Sequence, residues 1–332
     1  MTIPGSKGGR PMARHMRTTA NRTHRPLEWF KSRTSRIATA YMIRHSVKAS
    51  DGRTLNVAED GDRRGKAVFA LHGTPGSLIL YGPHVADATK RGIRLISYDR
   101  AGYGGSSPHP GRRVADAARD VEAIADSLGA ERFAVWGISG GGPHALACAA
   151  LLPKRVAAAS TLASPAPYPS QGLDWLGGQG EDNVAEFTAS LAGPQKLSDF
   201  LEPLRAGLLK AEPGEIAVMW ESLIPPVDKE VMLGGLGLFL ASNMKDGIGQ
   251  GIAGWRDDDL AFVADWGFRP SDASVPLLLW QGRHDKMVPY AHGEWLSQHV
   301  RGVEARLTAD DGHLTLFERR VPETHAWLLK HF

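Results

Sequence analysis

The chain has 332 residues, 42% hydrophobic and 23% charged, which is ordinary for a globular protein and long enough for one large core with an inserted subdomain, or for two domains. No apolar run approaches the ~20 residues that span a bilayer, and the single cysteine, Cys148, excludes an intrachain disulfide while leaving the redox compartment open. The formal charge of +3 belongs to the start of the chain: residues 1–44 hold ten Lys and Arg against one acid, Glu28, and the rest carries 29 basic and 35 acidic residues, a balance of −6 that argues against a nucleic-acid surface on the folded body.

Residues 1–41 are rich in Arg, Thr and Gly with little apolar periodicity, so a basic, disordered tail is the default expectation. They contain no apolar stretch suited to a secretory signal, which favours a cytoplasmic location. A transit peptide and a polyanion-binding arm stay open, and Met42 is an alternative start. From there strand and helix patterns alternate. Ile43–Val47 and Thr54–Ala58 flank Asp51-Gly52, a hairpin signal. Ala67–Leu71 and Arg94–Tyr98 are short apolar strands. Val114–Leu128 has helical spacing and stops at Gly129. Arg132–Trp136 is a strand running into glycines, and His144–Leu152 is a small-residue helix that makes Cys148 a buried hydrophobe. Val156–Leu162, Pro276–Gln281 and Val303–Leu307 read as strands, and Leu316–Phe332 as a closing helix. This alternation predicts an α/β fold with a mostly parallel sheet covered on both faces. Between about Ser164 and Phe268 it breaks: Asn183–Leu191, Leu197–Leu209, Glu215–Leu223 and Val231–Met244 look helical and no strand is evident. The expected domains are therefore a core of 42–163 and 269–332, with 164–268 inserted as a helical cap.

Gly137-Ile138-Ser139-Gly140-Gly141 fits G-x-S-x-G between a strand and a helix, the context in which a sharp turn lifts the serine hydroxyl clear of the sheet. The helix that follows aims N–H groups at developing negative charge. His72-Gly73-Thr74-Pro75-Gly76 follows an earlier strand, so the backbone N–H groups of Thr74 and Gly140 are candidate oxyanion donors; His72 itself reads as a buried brace for the loop. A serine nucleophile needs a base, and the base needs a carboxylate, in the order Ser, acid, His. Asp285 stands just past the strand Pro276–Gln281, and His313 sits on the loop Asp310-Asp311-Gly312-His313 before the last helix. The end of Val156–Leu162 carries no acid before Asp174, which strengthens Asp285. Asp310 and Asp311 read as turn residues, Asp99 and Arg100 as loop-bracing groups, His144 as packing or polar lining, His284 as a solvated loop residue, and His292 and His299 as surface positions on a helix.

Taken together, His72-Gly73 with Pro75, the Asp99–Ser106 loop, the Ser139 elbow, Gly282 with Asp285, and Gly312-His313 resemble the α/β-hydrolase superfamily over about Ile43 to Phe332. The resemblance implies an eight-stranded sheet and hydrolysis with no cofactor and no metal. Haloalkane dehalogenases and epoxide hydrolases of this fold place Asp where Ser139 stands, and the cap offers only Tyr168 where epoxide hydrolases need cap tyrosines, so both are disfavoured. The segment Asp257–Phe268 is similar to one in bacterial hydrolases and adds no chemistry by itself.

The expected activity is that of a serine hydrolase cleaving a carboxylic ester, or a related acyl bond, through an acyl-enzyme on Ser139. A lyase or perhydrolase using the same three residues, and a hydrolase-like small-molecule receptor, are the alternatives. The expected partner is a small-molecule substrate. Trp175, Trp220, Phe239, Trp255, Phe262 and Trp266 suit an apolar acyl or aromatic group, although most such aromatics pack a core.

Overall fold

A computed structural model describes residues 42–332; the basic tail expected over 1–41 lies outside the described residues. Eight strands form one sheet: β1 (Ile43–Lys48), β2 (Thr54–Gly61), β3 (Lys66–Leu71), β4 (Ile93–Tyr98), β5 (Phe133–Ile138), β6 (Val156–Leu162), β7 (Leu277–Gly282) and β8 (Glu304–Thr308). Their spatial order is β1-β2-β4-β3-β5-β6-β7-β8. The β1–β2 hairpin pairs antiparallel within itself and with β4, and every other pairing is parallel.

The central strands are apolar on both faces because both are covered. Along β3 and β5, Val68, Ala70, Ala134 and Trp136 pack toward one side, and Phe69, Leu71, Phe133 and Val135 toward the other. Helices α1 (Gly82–Lys90) and α11 (His313–Lys330) cover the first side. Helices α2 (Asp116–Ser127), α3 (Gly141–Leu151) and α10 (Tyr290–His299) cover the second, where Cys148 is fully buried.

Between β6 and β7 the described residues form α4 (Glu181–Leu191), α5 (Pro194–Lys210), α6 (Pro213–Met219), α7 (Pro226–Met232), α8 (Gly235–Ile248) and α9 (Ala253–Phe262), followed by a short 3-10 turn at Pro270–Asp272. Leu197 and Leu201 of α5 and Leu236 and Met244 of α8 join the core on the α1/α11 side. The single helix expected over Val231–Met244 is two helices, broken at Leu233-Gly234, and α7 and α8 pack against each other. Helix α1 was not expected from the sequence: only His84 and Ala88 of it are buried, too few apolar positions for a periodic signal.

The strand order places the reactive end. The chain leaves β3 toward β4 on one side and leaves β5 toward β6 on the other, so the carboxyl ends of β3 and β5 flank a topological switch point where a crevice opens. The loop after β3 begins with His72-Gly73-Thr74, and Ser139 follows β5 directly.

Candidate active site

Ser139 occupies the tight corner between β5 and α3. Its φ is 54°, a left-handed conformation that costs a non-glycine residue about 1–3 kcal/mol and persists only where the surroundings enforce it. The Ser139 N–H donates to the Leu162 carbonyl of β6 at 2.8 Å, and its own carbonyl accepts the Gly142 N–H at 2.8 Å. Glycine is required on both sides for space: a Cβ at Gly137 would run into the Gly141 carbonyl, and one at Gly141 into the Leu71 carbonyl of β3. The result is a hydroxyl at the N-terminus of an 11-residue helix, where the helix dipole favours negative charge.

The loop after β3 lies against this corner. The backbone of Gly73 approaches the Ser139 side chain, and Gly140 abuts the Thr74 side chain so closely that a Cβ there would collide with it. Among the described residues neither the Thr74 nor the Gly140 N–H donates to a protein acceptor. The Thr74 side chain is tied back: its hydroxyl donates to Asp258 Oδ2 at 2.7 Å and accepts from Arg100 Nη2 at 3.0 Å. Arg100 also donates to the carbonyls of His72 and Gly73.

His313 is the first residue of α11, and its Nδ1 lies 2.8 Å from Asp285 Oδ2 with both side chains buried. Asp285 is held in turn. Its Oδ1 accepts the N–H groups of Met287 and Val288, each at 2.8 Å, and Gln281 Nε2 donates to Oδ2 at 3.2 Å. A carboxylate so fixed orients the imidazole with its proton on Nδ1 and leaves Nε2 free. Burial, the largest single influence, pulls the His313 pKa down, but the charge and hydrogen bond of Asp285, with the charge of Asp228, outweigh it and leave the pKa above the ordinary 6.5.

Asp228 is a participant that sequence reasoning missed. Fully buried on α7, it accepts the N–H groups of His313 at 2.8 Å, Leu314 at 3.1 Å and Thr315 at 2.8 Å, and the Thr315 hydroxyl at 2.8 Å. It caps α11 from another part of the chain, which is why that helix begins at His313 rather than near Leu316 and why His313 lies on the helix rather than on the loop before it. In sequence, an acid after Pro225-Pro226 reads as a first-turn residue of its own helix, so nothing pointed to this use.

The second missed group is Asp258 on α9. It binds Arg100 Nη2 at 2.5 Å, Arg112 Nη1 at 2.6 Å, Tyr103 Oη at 2.9 Å and His144 Nε2 at 3.2 Å, all buried. Burial pushes its pKa up, but the Arg100 and Arg112 guanidiniums with His144 hold it well below the usual carboxylate range. The segment expected to add no chemistry thus anchors the loop that carries Thr74. The signal available was the run Asp257-Asp258-Asp259 within an apolar-aromatic stretch, which calls for buried counter-charges.

Of the other polar residues singled out from the sequence, His72 is buried, and its Nε2 accepts the Arg100 N–H at 3.2 Å. Asp99 accepts from Asn56 Nδ2 and from the N–H groups of Leu78 and Gly105. His144 is fully buried; His284 and His299 are exposed. His292, expected at the surface, is buried: its Nδ1 accepts the Ala166 N–H at 3.1 Å and its Nε2 faces the Trp175 carbonyl at 2.9 Å, pinning the segment after β6 to α10. Asp311 is buried rather than an ordinary turn residue, and it pairs with Arg320 at 2.8 Å.

Two cavities meet at Ser139 and share Thr74, Trp220 and Met287 in their walls. One, of about 120 Å³, includes His313 and is lined by Leu80, Phe239, Leu240 and Phe317. The other, of about 230 Å³, includes Gly140 and extends among α4, α5 and α9. Of the aromatics between β6 and β7, Trp175, Trp220, Trp255 and Phe262 line the larger cavity and Phe239 the smaller, while Trp266 packs in the core.

The family model described as the alpha/beta hydrolase fold matches residues 66–320. The chain belongs to this family. Among its relatives, AB hydrolase superfamily protein YisY of Bacillus subtilis is 26% identical over 83% of this chain and 94% of its own. Epoxide hydrolase B of Mycobacterium tuberculosis is 29% identical over 46% of this chain and 44% of its own, so the match spans a little under half of that relative. Among solved structures, an esterase from Exiguobacterium antarcticum superposes with a TM-score of 0.63 at 20% identity, covering 87% of this chain and all of that one. No helix among the described residues is long and apolar enough to cross a membrane.

Proposed function

We propose that this α/β-hydrolase cleaves a carboxylic ester, or a related acyl bond, by nucleophilic attack of Ser139, with His313 as base and Asp285 as the carboxylate that orients it. The observation that carries the reading is the buried Asp285–His313 pair opening onto the same cavity as a serine held at positive φ. His313 Nε2 takes the Ser139 proton as the hydroxyl attacks the carbonyl, and Asp285 stabilises the imidazolium. The N–H groups of Thr74 and Gly140 receive the oxyanion, each donor being worth on the order of 3 kcal/mol in the transition state. His313 then protonates the leaving alcohol, and water activated by the same imidazole releases the acyl group.

The helices of 164–268 act in this reading as a cap that roofs the serine and supplies Trp220 to both cavities. The smaller, apolar cavity suits an apolar acyl or aromatic group of a small-molecule substrate. Although one relative bears the name of an epoxide hydrolase, a serine hydroxyl here favours attack on an acyl carbon through a tetrahedral oxyanion.

A fluorophosphonate probe and p-nitrophenyl esters test the proposal. The wild type is expected to be labelled and to turn over the esters, and Ser139→Ala to lose labelling and at least about 10⁴-fold in kcat. Equal turnover by the two proteins, or no labelling of folded wild type, overturns it.

A further inference from the structure

The larger cavity beside Ser139 is lined by three carboxyl groups that acyl transfer does not use, Asp182 and Glu186 of α4 and Asp259 of α9. Asp182 is exposed, and its Oδ2 accepts the Ser222 hydroxyl at 2.6 Å. Glu186 Oε1 accepts the Trp255 indole N–H at 2.7 Å, which links α4 to α9, and the Asp259 carboxyl lies within reach of the Glu186 carboxyl. Asp259 is 1% exposed, and its Oδ2 has no hydrogen-bond donor among the described residues. A buried carboxylate oxygen without a donor is costly, so its retention in a cavity wall calls for a ligand that supplies the donor.

The surroundings specify the charge of that ligand. Among the described residues no Lys or Arg lines the cavity. Arg100 and Arg112 lie behind it, committed to Asp258. The one lining imidazole, His292, is held neutral, its pKa pulled down to about 4 by burial. Burial raises the Glu186 pKa, and burial and the Glu186 charge raise that of Asp259, so each carboxyl makes ionisation of the other costly and a cation between them relieves both. Trp175, Trp220, Phe200 and Phe262 supply further wall, and aromatic faces attract cations.

We propose that Glu186 and Asp259 form a subsite for an ammonium group on the substrate, so that the enzyme prefers acyl compounds bearing a cationic amine a few bonds from the scissile carbonyl. The ammonium donates to Asp259 Oδ2 and to the Glu186 carboxylate, while the apolar cavity takes the other arm of the substrate. This assignment rests on the acyl-transfer reading of Ser139.

Two matched substrate pairs test it: p-nitrophenyl 6-aminohexanoate against p-nitrophenyl heptanoate, with the charge on the acyl side, and the acetates of 6-aminohexan-1-ol and heptan-1-ol, with the charge on the alcohol side. In at least one pair the wild-type kcat/KM is expected to favour the ammonium member by tenfold or more. Glu186→Gln and Asp259→Asn are each expected to bring that ratio to one or below. A wild type preferring the neutral member of both pairs overturns the subsite, as does a preference that survives in both variants. If the variants do not fold, competitive inhibition of the wild type decides: hexylammonium chloride tenfold stronger than hexan-1-ol supports the subsite, and equal inhibition overturns it. If the wild type turns over no ester and Ser139 is not labelled, it is the hydrolase reading that fails. Calorimetric binding of hexylammonium chloride to the wild type then supports the subsite, and its absence overturns it.

Discussion

Two buried Asp–His pairs in this molecule have opposite electrostatics. In Asp285–His313, at 2.8 Å, the acid takes two backbone N–H groups and an amide, and the nearest further charge on the histidine is another acid, Asp228. In Asp258–His144, at 3.2 Å, the acid is shared with two guanidiniums. Burial lowers both histidines. At His313 the acids reverse the shift, whereas at His144 the Arg100 and Arg112 charges oppose its Asp258 bond and the pKa falls to about 4. An Asp–His contact therefore does not by itself make a base; the remaining charges decide whether the imidazole can accept a proton at neutral pH.

This contrast fails if the wrong pair proves to control turnover. Asp285→Asn is expected to lower kcat for p-nitrophenyl esters by about 10³–10⁴-fold, by losing both the tautomer and the stabilised imidazolium, with the Tm measured as a control for folding. Asp258→Asn leaves two guanidiniums buried without their counter-charge. It is expected to cost about 3–5 kcal/mol in urea unfolding, and turnover is expected to fall by a smaller factor as the Thr74 loop loosens.

The pH profile separates the two pairs in a second way. Because a base must be neutral to act, and His313 binds its proton more tightly than a free histidine, the acidic limb of kcat/KM is expected to have its midpoint above 6.5. Asp228→Asn removes a charge that favours the imidazolium, so it is expected to move that midpoint downward. His144→Gln is expected to leave the midpoint where it is.

Stability should follow the other pair. His144 and His292, both with pKa values pulled to about 4, stay neutral in the native state and take protons readily once unfolded. Their contribution is full above about pH 6.5 and is lost as the pH falls toward 4, so urea unfolding is expected to lose on the order of 2 kcal/mol or more between pH 7.5 and 5. A flat stability profile over that range would falsify their neutral burial.

The central strands were legible because they are short apolar runs closed by glycine or a turn signal, as in Arg94–Tyr98 before Asp99 and Pro276–Gln281 before Gly282, and the first two because they flank Asp51-Gly52. The helices between β6 and β7 were legible as helical but not in their breaks, since Leu233-Gly234 interrupts a pattern whose apolar spacing continues across it. At the site, Ser139, Asp285 and His313 could be nominated because strand ends and glycines mark them. Asp228 could not, because a carboxylate on a helix looks the same whether it faces water or another helix's N–H groups, and the run Asp257-Asp258-Asp259 signals buried counter-charges without saying which of the three faces a guanidinium and which a cavity.

Local pattern determined the alternation of strands and helices, the glycine-lined corner at Ser139 and the order of serine, acid and histidine, because these depend on side-chain size and period within a few residues. Tertiary structure alone decided that α7 caps the helix bearing His313, that α9 braces the Thr74 loop, and that Glu186 and Asp259 share one wall of a cavity with Ser139. Those are contacts between residues far apart in the chain, 85 positions for Asp228 and His313 and 184 for Thr74 and Asp258, and hydrogen bonding and desolvation depend on distance in space, which the spacing of residues along the chain does not encode.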